Sequence, residues 1–80
     1  MTILLTDLKE GDYAQVTNLS KADEHLLTSF HDLGICVGAE LELTHKTSLL
    51  EKSPRIIKVL NALIALRYEE AQCIEVQKRS

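Results

Sequence analysis

The sequence is poor in the residue types that several common functions require. Its 80 residues include no tryptophan, one proline, three glycines, two tyrosines and one phenylalanine. The three aromatics, Tyr13, Phe30 and Tyr68, are too few for a platform that stacks nucleic-acid bases. The formal net charge of −3 also lacks the basic surface that general duplex binders present to phosphates. We therefore expect no nucleic-acid partner.

Cysteine and long apolar runs are equally scarce. Cys36 and Cys73 lie far apart and outside any CxxC pattern, whereas a disulfide scaffold of this length usually carries four or more cysteines. The longest uninterrupted apolar stretch, residues 62–66, is far shorter than the roughly 20 residues that a membrane span needs. The first residues lack the basic region of a signal peptide. The sequence thus predicts one soluble, intracellular domain over residues 1–80, without direct membrane insertion.

What is present is a series of short β segments. Alternating apolar residues or β-branched residues predict about five strands. The predicted strands are Tyr13–Leu19, Ala39–His45, Arg55–Leu60, Leu63–Arg67 and Cys73–Lys78. So many short strands at close spacing favour a mainly β fold, a small barrel or sandwich.

One short helix is predicted between the first and second strands. Ser20 suits the cap position at its start, with Asp23 as the acid at the third position. Gly34 suits its end, because glycine readily takes the left-handed conformation that closes a helix. In that ending Ile35 falls back onto Phe30.

Four residues are predicted to form turns that shape the fold. Gly11 lies in a turn before the first strand, Gly34 ends the helix, and Gly38 marks a second turn. Asn61, followed by Ala62, is expected to reverse the chain in a tight hairpin, because asparagine tolerates positive φ.

Several ordered fragments resemble a known family. The first fragment is Leu8-x-x-Gly11-Asp12, and Phe30-His-Asp-Leu33-Gly34-Ile35-x-x-Gly38-Ala39-x-Leu41 leads from the helix into the next strand. Leu63-Ile64-Ala65-Leu66-Arg67, Ala71 and Ile74-Glu-Val76 follow. Together these fragments resemble the FeoA (ferrous iron transport protein A) family from about Leu4 to Gln77. The resemblance implies an SH3-like barrel, a cytoplasmic accessory role in bacterial ferrous iron uptake, and a FeoB-type GTP-binding membrane transporter as partner.

The residues themselves indicate neither catalysis nor a bound cofactor. His25 and His31 are six positions apart, which is not the spacing of a shared metal or base pair on a helix. With His45, Cys36 and Cys73 they are chemically suitable metal ligands, but no short paired spacing joins them. The sequence also lacks a phosphate-binding loop. We expect no catalytic residue, no cofactor and no metal ligand set.

Contact residues are the remaining candidates for function. Leu49 and Leu50 lie in an otherwise polar loop, where they either cover one end of the barrel, the interpretation we favour, or form part of a binding patch. Arg55, Lys58 and Arg67 form a basic group on the later strands. We therefore name Leu49, Leu50, Arg55 and Lys58 as candidate partner-binding residues.

Two other functions and one assembly state stay open. Metal-dependent transcription repressors carry a similar SH3-like module after a helix-turn-helix, although this chain begins at Met1 without room for that helical domain. A small iron-binding carrier is the other alternative. The sequence also leaves open a weak homo-oligomer.

Overall fold

The computed structural model describes residues 2–46 and 53–79 and has six strands and two α-helices in that part of the chain. The elements are β1 (Thr2–Leu4), a 3-10 turn (Leu5–Asp7), β2 (Tyr13–Asn18), α1 (Glu24–Asp32), β3 (Glu40–Lys46), β4 (Arg55–Val59), β5 (Ala62–Leu66), α2 (Tyr68–Ala71) and β6 (Glu75–Arg79). The mainly β class predicted from the sequence is confirmed. No helix within the described segments is long and apolar enough to cross a membrane.

All the strands join one antiparallel sheet in the order β1-β6-β2-β3-β4-β5. The prediction of about five strands missed β1. This strand is only three residues long and forms by pairing Ile3 with Val76 of β6, at the other end of the chain. A contact so remote in sequence leaves no local pattern by which to recognise it.

The core lies on the inner face of this curved sheet and beneath α1. On β2 and β4 the inward side chains alternate with outward ones, as the two-residue period of a strand requires. α1 contributes Phe30, which is 1% exposed. The buried apolar residues are Leu5, Leu8, Ala14, Val16, Leu19, Phe30, Ile35, Leu41, Leu43, Ile57, Val59, Ile64, Leu66, Ala71, Ile74 and Val76.

The start of α1 differs from the prediction. Asp23, not Ser20, is the N-cap: its Oδ1 accepts a hydrogen bond from the Leu26 N–H at 2.8 Å. The backbone N–H of Ser20 instead donates to Asn18 Oδ1 at 2.7 Å, which forms a turn of its own before the helix. Serine and aspartate are both good N-cap residues, and the turn after β2 places Asp23 instead of Ser20 at the start of the helix.

Candidate protein-contact site

The outer face of the sheet carries a continuous row of large side chains. Residues directly opposite each other in an antiparallel pair lie on the same face. Tyr13 pairs with Arg79 on one side and Glu42 on the other, Glu42 pairs with Lys58, and Lys58 pairs with Leu63. Five strands therefore align one aromatic, one aliphatic and three charged side chains across the sheet.

Part of this row forms a shallow open groove, which we call the outer groove. Its volume is about 810 Å³. The lining residues are Tyr13, Ala14, Gly38, Ala39, Glu40, Leu41, Glu42, Lys58, Leu60 and Arg79.

Two apolar side chains in the outer groove are unusually exposed. Tyr13 is 57% exposed, and Leu60, at the tip of the β4–β5 hairpin, is 86% exposed. Aromatic side chains carry much of the binding energy of protein interfaces. The groove therefore has an apolar surface that a second protein can cover.

The charges at the outer groove differ in whether they have partners. Arg79 Nη2 lies 3.2 Å from Glu40 Oε1, and both side chains are more than half exposed, so this ion pair contributes little to stability. Within residues 2–46 and 53–79, neither Lys58 nor Glu42 forms an ion pair. Lys58 therefore presents a positive charge in the same groove as Tyr13 and Leu60, and its neighbour on β3 is Glu42.

A second charged contact lies beside the groove, where β2 begins. The Lys9 backbone N–H donates to Asp12 Oδ2 at 2.8 Å, and Lys78 Nζ lies 3.5 Å from Asp12 Oδ1. The backbone hydrogen bond, followed by the charge of Lys78, lowers the pKa of Asp12 below its ordinary value of 3.8. The Asp12 carboxylate thereby links the turn before β2 to β6.

The four candidate contact residues named from the sequence separate into three groups. Lys58 is exposed and lines the outer groove. Leu49 and Leu50 lie outside the described residues. Arg55, expected in a basic surface group, is only 2% exposed, so the expected exposure is wrong.

Arg55 is buried because of its place on β4. Residues 55, 57 and 59 share one face of this strand, and the other two, Ile57 and Val59, fill the core. The Arg55 guanidinium lies 5.2 Å from the ring centroid of Tyr68, and its Nη1 donates to the Ser53 carbonyl oxygen. Counting two residues back from Ile57 would have revealed this inward position.

The four predicted turn residues differ in their backbone conformation. Gly11, Gly34 and Gly38 have φ values of 89°, 86° and 95°. Asn61, in contrast, does not have positive φ. The two-residue hairpin loop is Leu60-Asn61, closed by the pairing of Val59 with Ala62, and Leu60 has a φ of 57°. The sequence placed the reversal one residue too late, because the register is decided by burying alternate residues of β4 and β5.

The sequence reasoning missed Tyr13, Leu60 and Arg79 as groove residues. They lie on three different elements, and only the pairing of β6 with β2 and the turn after β4 bring them together. Alternation alone offered a partial signal, because Ala14 and Val16 point inward and therefore place Tyr13 outward.

The metal-suitable side chains do not come together in the described parts of the chain. Residues 2–46 and 53–79 contain no group of three or more histidine, cysteine, aspartate or glutamate side chains placed to hold one ion. Cys36 is exposed, Cys73 is half-buried, and both are free thiols.

Comparison with known proteins identifies the fold and the family. The family model described as "FeoA domain" matches residues 3–78. No curated protein sequence matches the chain. The solution structure of the FeoA protein from Chlorobium tepidum is 29% identical, with a TM-score of 0.87 over 98% of this chain and 71% of that one.

Two other solved structures share the fold at lower identity. A zinc complex of FeoA from Stenotrophomonas maltophilia, described as an SH3 domain protein, is 24% identical, with a TM-score of 0.74 over 94% of this chain and 89% of that one. A manganese-dependent transcriptional repressor is 23% identical, with a TM-score of 0.86 over 98% of this chain but only 41% of the repressor. The SH3-like fold expected from the sequence is confirmed.

Proposed function

This chain belongs to the FeoA domain family, which is involved in ferrous iron transport, and we propose that it is a non-enzymatic accessory protein of bacterial ferrous iron uptake. It acts in the cytoplasm by binding and modulating a FeoB-type GTP-binding membrane transporter. The observation that carries the proposal is the match of the family model to residues 3–78. The Stenotrophomonas relative, described as a candidate ferrous iron transport activating factor, supports the same role.

The outer groove is the surface that we assign to this contact. Tyr13 and Leu60 supply exposed apolar area, and Lys58 supplies a charge without an ion-pair partner among the described residues. Interfaces between proteins commonly surround an aromatic anchor with polar and charged groups. The partner surface that fits this groove is an apolar patch beside an acidic side chain.

The likeness to the manganese-dependent repressor does not extend the proposal to transcription. At 23% identity it shows a shared fold alone, and this chain spans less than half of the repressor. The formal net charge of −3 does not favour binding to DNA. An iron-carrier role is tested separately, by anaerobic titration with ferrous ion; stoichiometric binding would favour it.

Binding of this chain to the purified cytosolic portion of a FeoB-type transporter tests the proposal. Lys58→Gln and Tyr13→Ser should each raise the dissociation constant about tenfold, equivalent to about 1.4 kcal/mol. Lys21→Gln is the matched control, because it removes the same charge from an exposed position outside the groove. Glutamine at position 58 also avoids placing a second acid opposite Glu42.

Two results would overturn the proposal. One is the absence of binding in the nucleotide-free, GDP-bound and GTP-bound states of the transporter domain. The other is normal ferrous iron uptake by a strain that lacks this protein, measured during iron-limited anaerobic growth. If binding occurs but Lys58→Gln, Tyr13→Ser and the control bind equally well, the outer groove is the wrong surface.

A further inference from the structure

Strand β5 forms one end of the sheet. In the described part of the chain, β5 has β4 as its neighbour and no strand on its other side. The hairpin loop Leu60-Asn61 makes Val59 and Ala62 a hydrogen-bonded pair, and alternation extends this pattern to Ile64. The N–H and C=O groups of Leu63 and Ala65 therefore point away from β4, toward the open edge.

The features that normally prevent strand addition are missing from this edge. Proteins protect edge strands with charges, proline, bulges or very short strands. The sequence of β5 is Ala62-Leu63-Ile64-Ala65-Leu66, without charge or proline, and its pairing with β4 is regular over all five residues. Leu63 is 68% exposed. The opposite end of the sheet differs, because β1 has only three residues.

We propose that β5 is a self-association site, at which two copies of this chain pair their β5 strands antiparallel around a two-fold axis at Ile64. Leu63 of each copy then lies opposite Ala65 of the other, and these two pairs exchange four backbone hydrogen bonds. Each large Leu63 side chain meets a small Ala65 side chain on the outer face. The two sheets continue into one.

The chemistry of the strand favours a second copy over an unrelated partner. Shifting the register by two residues places Leu63 opposite either Leu63 or Arg67, which sets two large side chains against each other. Only the register centred on Ile64 places the large Leu63 side chain opposite the small Ala65 side chain. In this register Arg67 lies opposite Asn61 of the other copy, and no like charges meet. The β5 strand is thus complementary to itself.

The expected dimer is weak. One strand pair and two leucine side chains cover much less than the about 1,200 Å² that stable interfaces bury. Self-association therefore matters where the local concentration of this chain is high. The inference concerns the isolated chain and does not depend on the proposed transporter contact.

Sedimentation equilibrium of the purified chain alone tests the proposal, from about 10 μM to about 1 mM. The average mass should rise from 9.0 kDa toward twice that value. The backbone amides of Leu63 and Ala65 should exchange with solvent more slowly as the concentration rises. A constant mass of 9.0 kDa over this range would overturn the proposal and would leave the transporter proposal untouched.

Two edge variants locate the contact. Ala65→Pro removes an N–H that faces the open edge without removing a hydrogen bond to β4, and Leu63→Lys adds a charge to the edge. Each should weaken the dimer at least about tenfold. Val37→Lys is the control, because it adds the same charge at another apolar residue, 62% exposed. If Ala65→Pro does not fold, Leu63→Lys alone tests the contact. The β5 contact is refuted if Leu63→Lys dimerises as strongly as the wild type and the Val37→Lys control do.

Discussion

Gly34 ends helix α1 in a conformation that an added side chain opposes. Its φ is 86°, and the two hydrogen bonds of a Schellman ending surround it: Gly34 N–H donates to the His31 carbonyl at 3.1 Å, and Ile35 N–H donates to the Phe30 carbonyl at 2.8 Å. A Cβ atom at Gly34 would have Val59 Cγ1 as its nearest neighbour, at 3.7 Å, which is an ordinary contact. Substitution by alanine therefore meets no steric barrier, and its cost is conformational.

The magnitude of this cost follows from two opposing terms. The left-handed conformation costs an L-residue about 1–2 kcal/mol, and the reduced freedom of the unfolded chain returns about 0.4–1 kcal/mol. We expect Gly34→Ala to lower the free energy of unfolding by about 1 kcal/mol. Gly34→Val should cost more than this, because a β-branched side chain resists positive φ further.

Thermal unfolding followed by circular dichroism measures the effect. A loss of about 1 kcal/mol lowers the Tm by about 4–8 °C in a domain of this size. D-alanine at position 34, introduced by chemical synthesis, is the control, since it favours positive φ and places its methyl group where glycine has its other α-hydrogen. The reasoning is refuted if L-alanine leaves the Tm unchanged, and it predicts that D-alanine lowers the Tm less than L-alanine does.

Three further predictions concern other positions. Leu60→Gly should stabilise the protein by about 0.5–1 kcal/mol in urea unfolding, because glycine relieves the positive φ of the hairpin; a lower midpoint would contradict this. Asp23→Ala should cost about 1 kcal/mol while Ser20→Ala changes stability little, since Asp23 caps α1; equal losses would contradict the assignment. The lowered pKa of Asp12 means that its charged form stabilises the fold above the ordinary pKa of 3.8 and that this contribution disappears as the pH falls through the folded pKa. The difference in Tm between neutral pH and about pH 3 should therefore be smaller in Asp12→Asn than in the wild type.

Local sequence patterns predicted much of the fold. Alternation predicted the strands themselves, and in β3 the alternating residues Leu41 and Leu43 are both buried. Gly34 predicted the end of the helix at Leu33, because the requirement for positive φ is a property of one residue and its immediate neighbours. The ordered fragments predicted the family for the same reason, since each depends on residues close in sequence.

The sequence predictions were wrong where contacts between distant parts of the chain determine the structure. Arg55 belongs to the surface by residue type, but the burial of Ile57 and Val59 on the same side of β4 places it inside, over the ring of Tyr68. Strand β1 exists because β6 offers it an edge, and a three-residue segment has no periodicity of its own.

The amino-acid sequence by itself determined the class of the fold, the family and the end of the helix, because short-range patterns and single-residue conformational preferences specify each of them. Tertiary structure alone decided the composition of the outer groove and the open edge of β5. Tyr13, Lys58 and Arg79 become neighbours only when antiparallel pairing sets the register between strands that are far apart in sequence. Among the residues that the structure describes, Leu63 and Ala65 face an open edge only because β5 comes last in the sheet, which no local pattern encodes.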